Sequence, residues 1–136
     1  MVEKKFLKKI IAQSYEDLQM ISACCSQAKV KLSDIKFLKK NKIFLILIER
    51  LNREENRPAK KVQSIIKFEY ILNSKSKNID QTRPDIVFEL LAIDVLKKEN
   101  NFEIILLFSK NGIITLTAEI LDVTLEDQNI NDDKSN

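Results

Sequence analysis

The sequence has no histidine and no tryptophan, and only one glycine, two prolines and two cysteines among its 136 residues. Each shortage excludes some chemistry. Without histidine, Ser-His-Asp and Cys-His catalytic systems lack their base. A structural zinc site takes four Cys or His ligands, and the chain offers two. With Gly112 as the lone glycine, a glycine-rich phosphate loop is excluded. No apolar run approaches the roughly 18 residues a membrane-spanning helix needs. The start, MVEKKFLKKII, lacks the apolar core and small-residue cleavage site of a secretory signal. These absences lead us to expect a cytoplasmic protein with reduced cysteines, no cofactor, no metal and no membrane association.

What is present is enough for a folded domain. Hydrophobic residues make up 44% and charged residues 32% of the chain, a balance that suits a globular protein and not a disordered one. The length fits one domain with a real core. We assign residues 1–127 to a single α+β domain and residues 128–136 to a frayed acidic tail. Charge is divided along the chain. Residues 1–83 carry 19 Lys and Arg against 9 Asp and Glu, whereas residues 84–136 carry 4 against 11, leaving a net charge of +3. Either basic and acidic strands become neighbours and cancel, or a basic face meets an anionic partner.

Periodicity suggests the elements. FLKKIIA, residues 6–12, reads as a short strand. Ser14 followed three residues later by Asp17 resembles a capping box, and Glu16 and Asp17 suit the positive end of a helix dipole. Leu18, Ile21, Cys25 and Ala28 then recur at helical spacing. From Val30 the pattern alternates, with a break near Ser33-Asp34 that marks a bulge or bend. KKNK is a turn. KIFLILIERL is apolar enough to predict a strand covered on both faces. NREENRPAKK reads as a charged loop, VQSIIKFEYIL as a strand and SKSKNIDQTRPD as a polar connection. VFELLAIDVL, NFEIILLFS and IITLTAEILDVTL read as three further strands, with Asn111-Gly112 the strongest hairpin signal.

An internal echo accompanies this order. IKFLKK (35–40) resembles IDVLKK (93–98), and each is followed by a turn, a very apolar strand and a third strand. The fold expected is therefore α+β: an N-terminal helix on a curved, mainly antiparallel sheet of six or seven strands. Two three-stranded meanders would build it, with a barrel-like or pleckstrin-like closure in view.

Cys24 and Cys25 are adjacent, so on a helix they point about 100° apart and chelate poorly. Packing is the favoured role, with Cys25 on the apolar stripe acting as a small hydrophobe. Asp80 and Asp85 bracket Arg83 in the polar connection and read first as turn and strand-start residues, with catalysis by a carboxylate pair as the alternative. The basic segments KKFLKK, KFLKKNK, RLNREENRPAKK and KSK with Arg83 read first as solvated faces. A nucleic-acid surface is the alternative, weakened by the scarcity of aromatics for stacking.

Asp17-Leu18, Ile21-Ser22-Ala23, Ala28-Lys29-Val30, Asp34, Phe68-Glu69, Ile79-Asp80, Arg83-Pro84-Asp85, Leu90-Leu91-Ala92-Ile93, Gly112 and Glu119 together resemble an alphaproteobacterial family known as domain of unknown function 2948. The resemblance runs from about residue 6 to residue 127, and Ile79-Asp80 with Arg83-Pro84-Asp85 is its most specific part. It implies a single domain in a bacterial cytoplasm and supplies no catalytic residue. It also implies a Leu-like role for Cys25, because members tend to carry His and Leu at the two cysteine positions.

The function expected is a non-enzymatic binding or assembly module. A weak nucleic-acid-binding protein and a carboxylate enzyme near Asp80 to Asp85 are the alternatives. A protein partner is expected first, nucleic acid second, and a homo-oligomer is allowed. The candidate ligand-binding residues are Lys75, Lys77, Asp80, Arg83 and Asp85.

Overall fold

The structure, a computed structural model, describes residues 8–52 and 60–128. Most of the charged loop expected at 52–61, nearly all of the acidic tail and the beginning of the strand expected at 6–12 lie outside these residues.

The chain runs β1 (Lys9–Ala12), α1 (Tyr15–Cys25), β2 (Ala28–Lys31), β3 (Ile35–Leu38), β4 (Ile43–Asn52), β5 (Lys60–Phe68), β6 (Ile71–Lys77), β7 (Val87–Lys97), β8 (Phe102–Phe108), β9 (Ile113–Ala118) and β10 (Val123–Asp127). Ten strands form one sheet in the order β1-β10-β5-β4-β2-β7-β8-β9-β6, with β3 also on β4. All pairings among the described residues are antiparallel. The sheet is thus larger than the six or seven strands expected, and it is open, with β1 and β6 at its ends.

Two kinks account for much of the difference. Residues 62–72 and residues 113–125 each read as one strand in sequence, but each breaks. The first break falls at Glu69 and Tyr70, where Tyr70 takes φ 60°. The second falls between Ala118 and Val123. After each break the chain continues in a different neighbourhood, so β5 pairs β10 and β6 pairs β9. The kinks match one another. Phe68 and Ile71 point inward around the first, and Ala118 and Leu121 around the second, with exposed Tyr70 and Ile120 between them. At the first bend the Ile71 N–H donates to the Lys42 carbonyl (2.9 Å), tying the start of β6 to the start of β4.

The two meanders are present as β3-β4-β5 and β7-β8-β9. Their ladders set Phe37-Phe44-Phe68 in the first against Lys97-Phe102-Ala118 in the second. The echo aligns Ile35 with Ile93, so at the first strand it is two residues out of structural register. β7 also carries a register shift between Leu90 and Ala92.

α1 begins as the capping pattern predicts: the Asp17 N–H donates to the Ser14 hydroxyl (3.2 Å). Leu18, Ile21 and Cys25 are buried. The helix stops at Cys25, so Ala28, expected on the same stripe, instead opens β2 as a buried strand residue. Gln27 adopts a left-handed φ of 67°, and its N–H donates to the Leu90 carbonyl (2.7 Å). The Ser22 hydroxyl accepts the Ile93 N–H (2.9 Å), docking the helix next to the β7 bulge. One hydrophobic core joins helix and sheet, with Phe68, Ile46, Leu90, Leu106 and Leu116 among its fully buried members. Burying each such side chain is worth about 1.5–3 kcal/mol.

β4 corrects a further expectation. Phe44, Ile46 and Ile48 are buried, but Ile43, Leu45 and Leu47 are only half-buried. The strand is covered on one face. The hairpin at Asn111-Gly112 is present, with its left-handed residues at Lys110 (φ 64°) and Asn111 (φ 63°) and not at the glycine. Gly112 is needed for space instead: a Cβ there would lie 3.2 Å from Ile79 Cγ1.

Candidate functional site

Lys75 and Lys77 do not lie in a polar connection. They belong to β6, because β9 offers a strand edge and backbone pairing satisfies main-chain groups whatever the side chains are. Lys75 is opposite Thr115 and Lys77 opposite Ile113, and both lysines are exposed. Ser74, one position over, faces the other way, opposite buried Leu116. The two lysines therefore share the outer face of an edge strand.

The 78–86 loop leaves this strand as a built turn. Asp80 Oδ1 accepts the Thr82 hydroxyl (2.6 Å) and the Thr82 N–H (3.0 Å). Arg83 N–H donates to the Asp80 carbonyl (3.2 Å) and Ile86 N–H to the Arg83 carbonyl (3.2 Å). Gln81 Nε2 donates to the Ser76 hydroxyl (3.2 Å), which holds the loop beside β6. The far end is fastened where Ser33 N–H donates to the Pro84 carbonyl and Leu32 N–H to the Ile86 carbonyl, each at 2.9 Å. Ile79 packs over Gly112, and Asn78 donates to the Asn111 carbonyl (3.0 Å). Ile79-Asp80 and Arg83-Pro84 are thus explained by loop construction.

Asp80, Arg83 and Asp85 are all exposed. The hydrogen bonds from Thr82 hold the Asp80 carboxyl below its usual range. A general acid at neutral pH needs the opposite shift and a closed site. This loop is a surface. It places Arg83 in the turn next to the strand that carries Lys75 and Lys77, and Lys110, at the hairpin Asn78 contacts, stands over the Phe88 ring (6.0 Å).

Elsewhere cations and carboxylates meet, some across the basic and acidic halves and some within one half. Lys29 sits between Glu49 on β4 and Glu89 on β7. Lys9 lies opposite Glu126. Lys42 pairs with Glu119 (3.2 Å), Lys67 with Glu69 (3.6 Å) and Lys98 with Glu103 (3.8 Å). Among the described residues, Lys75 and Lys77 take no part in such pairs, as is true of several other exposed lysines, and the Arg83 charge acts on the neighbouring Asp80 carboxyl. A trough of about 720 Å³ on the outer face of β1, β10, β5 and β4 is lined by Lys9, Ile11, Leu45, Ile65, Lys67 and Glu126. Of its charges, Lys9 faces Glu126 across the strands and Lys67 pairs with Glu69; Asp122 and Asp127 also line it.

A polar cluster not anticipated from the sequence lies inside the core. Arg50 is 3% exposed, Asp127 4% and Ser64 0%. Arg50 Nη2 donates to both Asp127 oxygens at 2.8 Å, Nε donates to Ser64 Oγ at 3.1 Å, and Ser64 donates to Asp127 Oδ1 at 2.6 Å. The Lys8 N–H completes the carboxylate at 2.9 Å. Burial would push Asp127 up, but the bonds from Ser64, Lys8 and Arg50 outweigh it and hold the carboxyl below its usual range. Cys25 lies close by, and burial pushes its thiol up to about 12. A signal for Arg50 exists in the sequence: it comes after Phe44, Ile46 and Ile48 in period two, so it falls on the inward face. This cluster is closed and satisfied, and its role is structural.

Together these features define an α+β protein, with one α-helix among the described residues on a large open antiparallel sheet and exposed lysines along one sheet edge. The chain belongs to the family described as protein of unknown function (DUF2948), whose model matches residues 8–135. No curated protein and no solved structure matches it. No helix among the described residues is long and apolar enough to cross a membrane.

Proposed function

We propose that this chain is a non-enzymatic binding module that contacts an anionic partner through Lys75, Lys77 and Arg83. The observation carrying this reading is position: Lys75 and Lys77 are exposed on one outer face of an edge strand, opposite the uncharged Thr115 and Ile113, with Arg83 exposed in the loop that follows. An exposed lysine left outside internal pairs is available to steer and hold an opposite charge. Asp80 and Asp85 flank Arg83, and Asp80 holds the turn through Thr82; they supply no acid–base chemistry in this reading. A cytoplasmic setting accords with two free cysteines, one of them buried as a protonated thiol.

The test is binding of an acidic polypeptide, poly-glutamate, to the full chain by fluorescence anisotropy at rising salt. The expected result is binding that weakens with salt and disappears in Lys75→Glu/Lys77→Glu/Arg83→Glu at unchanged melting temperature. Much tighter binding of single-stranded DNA, with a steep salt slope, would favour the nucleic-acid reading instead.

A further inference from the structure

Edge strand β6 presents main-chain groups as well as charge. It spans Ile71–Lys77 and, among the described residues, pairs with β9 alone. The Ile71 N–H is taken by the Lys42 carbonyl, which leaves the outer edge open from residue 72 onward among the described residues. Leu72, Asn73, Lys75, Ser76 and Lys77 are exposed along it.

The fold contains a precedent for filling such an edge. The kinked ribbon β5–β6 runs against the kinked ribbon β9–β10, and the two kinks match in burial, so β10 continues from its kink as β6 continues from its own. β10 is paired on both edges, by β5 and by β1. Among the described residues β6 is paired on one, by β9, and the place corresponding to β1 is open. Where β1 lies on β10, charge is matched across the strands, Lys9 opposite Glu126. At β6 the signs are reversed and half of the match is missing. Lys75 and Lys77 stand two residues apart on one face, and their neighbours on β9 are the uncharged Thr115 and Ile113.

We infer that β6 takes up an extended acidic segment of a partner protein as an added antiparallel strand, with carboxylates at alternate positions opposite Lys75 and Lys77. This rests on the binding-module reading and names its partner class. Main-chain hydrogen bonds along the edge supply affinity, and the alternating carboxylates supply register. A second copy of this chain is a poor occupant, because β6 carries no carboxylate: pairing with β6 would set its lysines against Ile71 and Asn73 or, in shifted registers, against each other. A nucleic acid can meet the charges but cannot extend the ladder.

The experiment titrates a short alternating Thr-Glu peptide into the isotopically labelled full chain, monitoring backbone amide shifts. Two peptides N-methylated at every second residue, one in each register, and a single-stranded DNA serve as comparisons. The expected result is saturable binding with the largest shifts at residues 72–77. Methylation in one register weakens it by at least about tenfold, since several edge hydrogen bonds are lost, and methylation in the other does not. Lys75→Glu/Lys77→Glu loses the Thr-Glu peptide, keeps its melting temperature and gains a Thr-Lys peptide. Equal binding of all three acidic peptides would overturn strand addition while leaving the charge-based module standing. Shifts centred on β1, or stronger binding of the DNA, would also overturn it. No binding of any acidic peptide would remove both readings.

Discussion

Arg50 and Asp127, 77 positions apart in the chain, form a two-oxygen ion pair inside the core, with Arg50 Nη2 2.8 Å from each carboxylate oxygen. The pair holds β4 to β10 across the intervening β5, whose Ser64 hydroxyl bonds both partners. Removing one charge leaves the other buried without compensation. Asp127→Asn or Arg50→Met is therefore expected to destabilise by about 3–5 kcal/mol, whereas an apolar replacement of both costs much less than the two single changes summed. Urea midpoints of the two single variants and the double variant check this. Additive losses would show that the pair does not act as a unit.

The same carboxylate sets an acid dependence. Its folded-state ionisation is depressed relative to an ordinary carboxyl near about 4. Its contribution is thus complete above that value and is lost as pH falls through the lower folded-state value. The stability difference between wild type and Asp127→Asn, read from denaturant midpoints, should be constant from pH 7 to pH 5 and shrink toward pH 2. A difference that grows on acidification would contradict the assignment.

The two cysteines should behave differently. Cys25 is buried, with its thiol pushed up to about 12, so it stays protonated and shielded in the native state. Cys24 is partly exposed, with Lys8 Nζ 3.8 Å from its sulfur. A thiol reagent at neutral pH should label Cys24 in native protein and both residues only after unfolding. Cys24→Ser should be nearly neutral, and Cys25→Ser, which buries a hydroxyl, should cost on the order of 1–3 kcal/mol. Stoichiometric zinc lost on mutating either cysteine would overturn the packing role.

Gly112 is tied to Ile79 by space. Gly112→Ala brings a Cβ to 3.2 Å from Ile79 Cγ1. Overpacking of this kind costs about 1–3 kcal/mol, and the lower end applies here because a side chain can shift. Ile79→Val should recover part of the loss in the double variant, measured as a thermodynamic cycle. Full additivity would mean that the contact is not the cause.

Local pattern alone determined much of this protein. Ser14 and Asp17 mark the helix start, Leu18, Ile21 and Cys25 its buried face, and alternation from Val30 through Phe37 gives the more buried side of β2 and β3, all as the structure has them. These features depend on residues a few positions apart, so periodicity carries them. The charge split was legible too, but its resolution into cross-strand pairs was not, because register between distant strands decides which Lys meets which Glu.

Only the tertiary structure made Ser74–Lys77 part of a strand. Those residues have weak strand character and acquire it from the open edge of β9. The kinks at Tyr70 and Ile120 left a trace, an inward spacing of three where two was due, but the path of the chain beyond each kink depends on which ribbon lies beside it. Arg50 likewise reads as an inward residue from its own strand. That it can be buried at all is decided by Ser64 and Asp127, which the fold brings to it from two other strands.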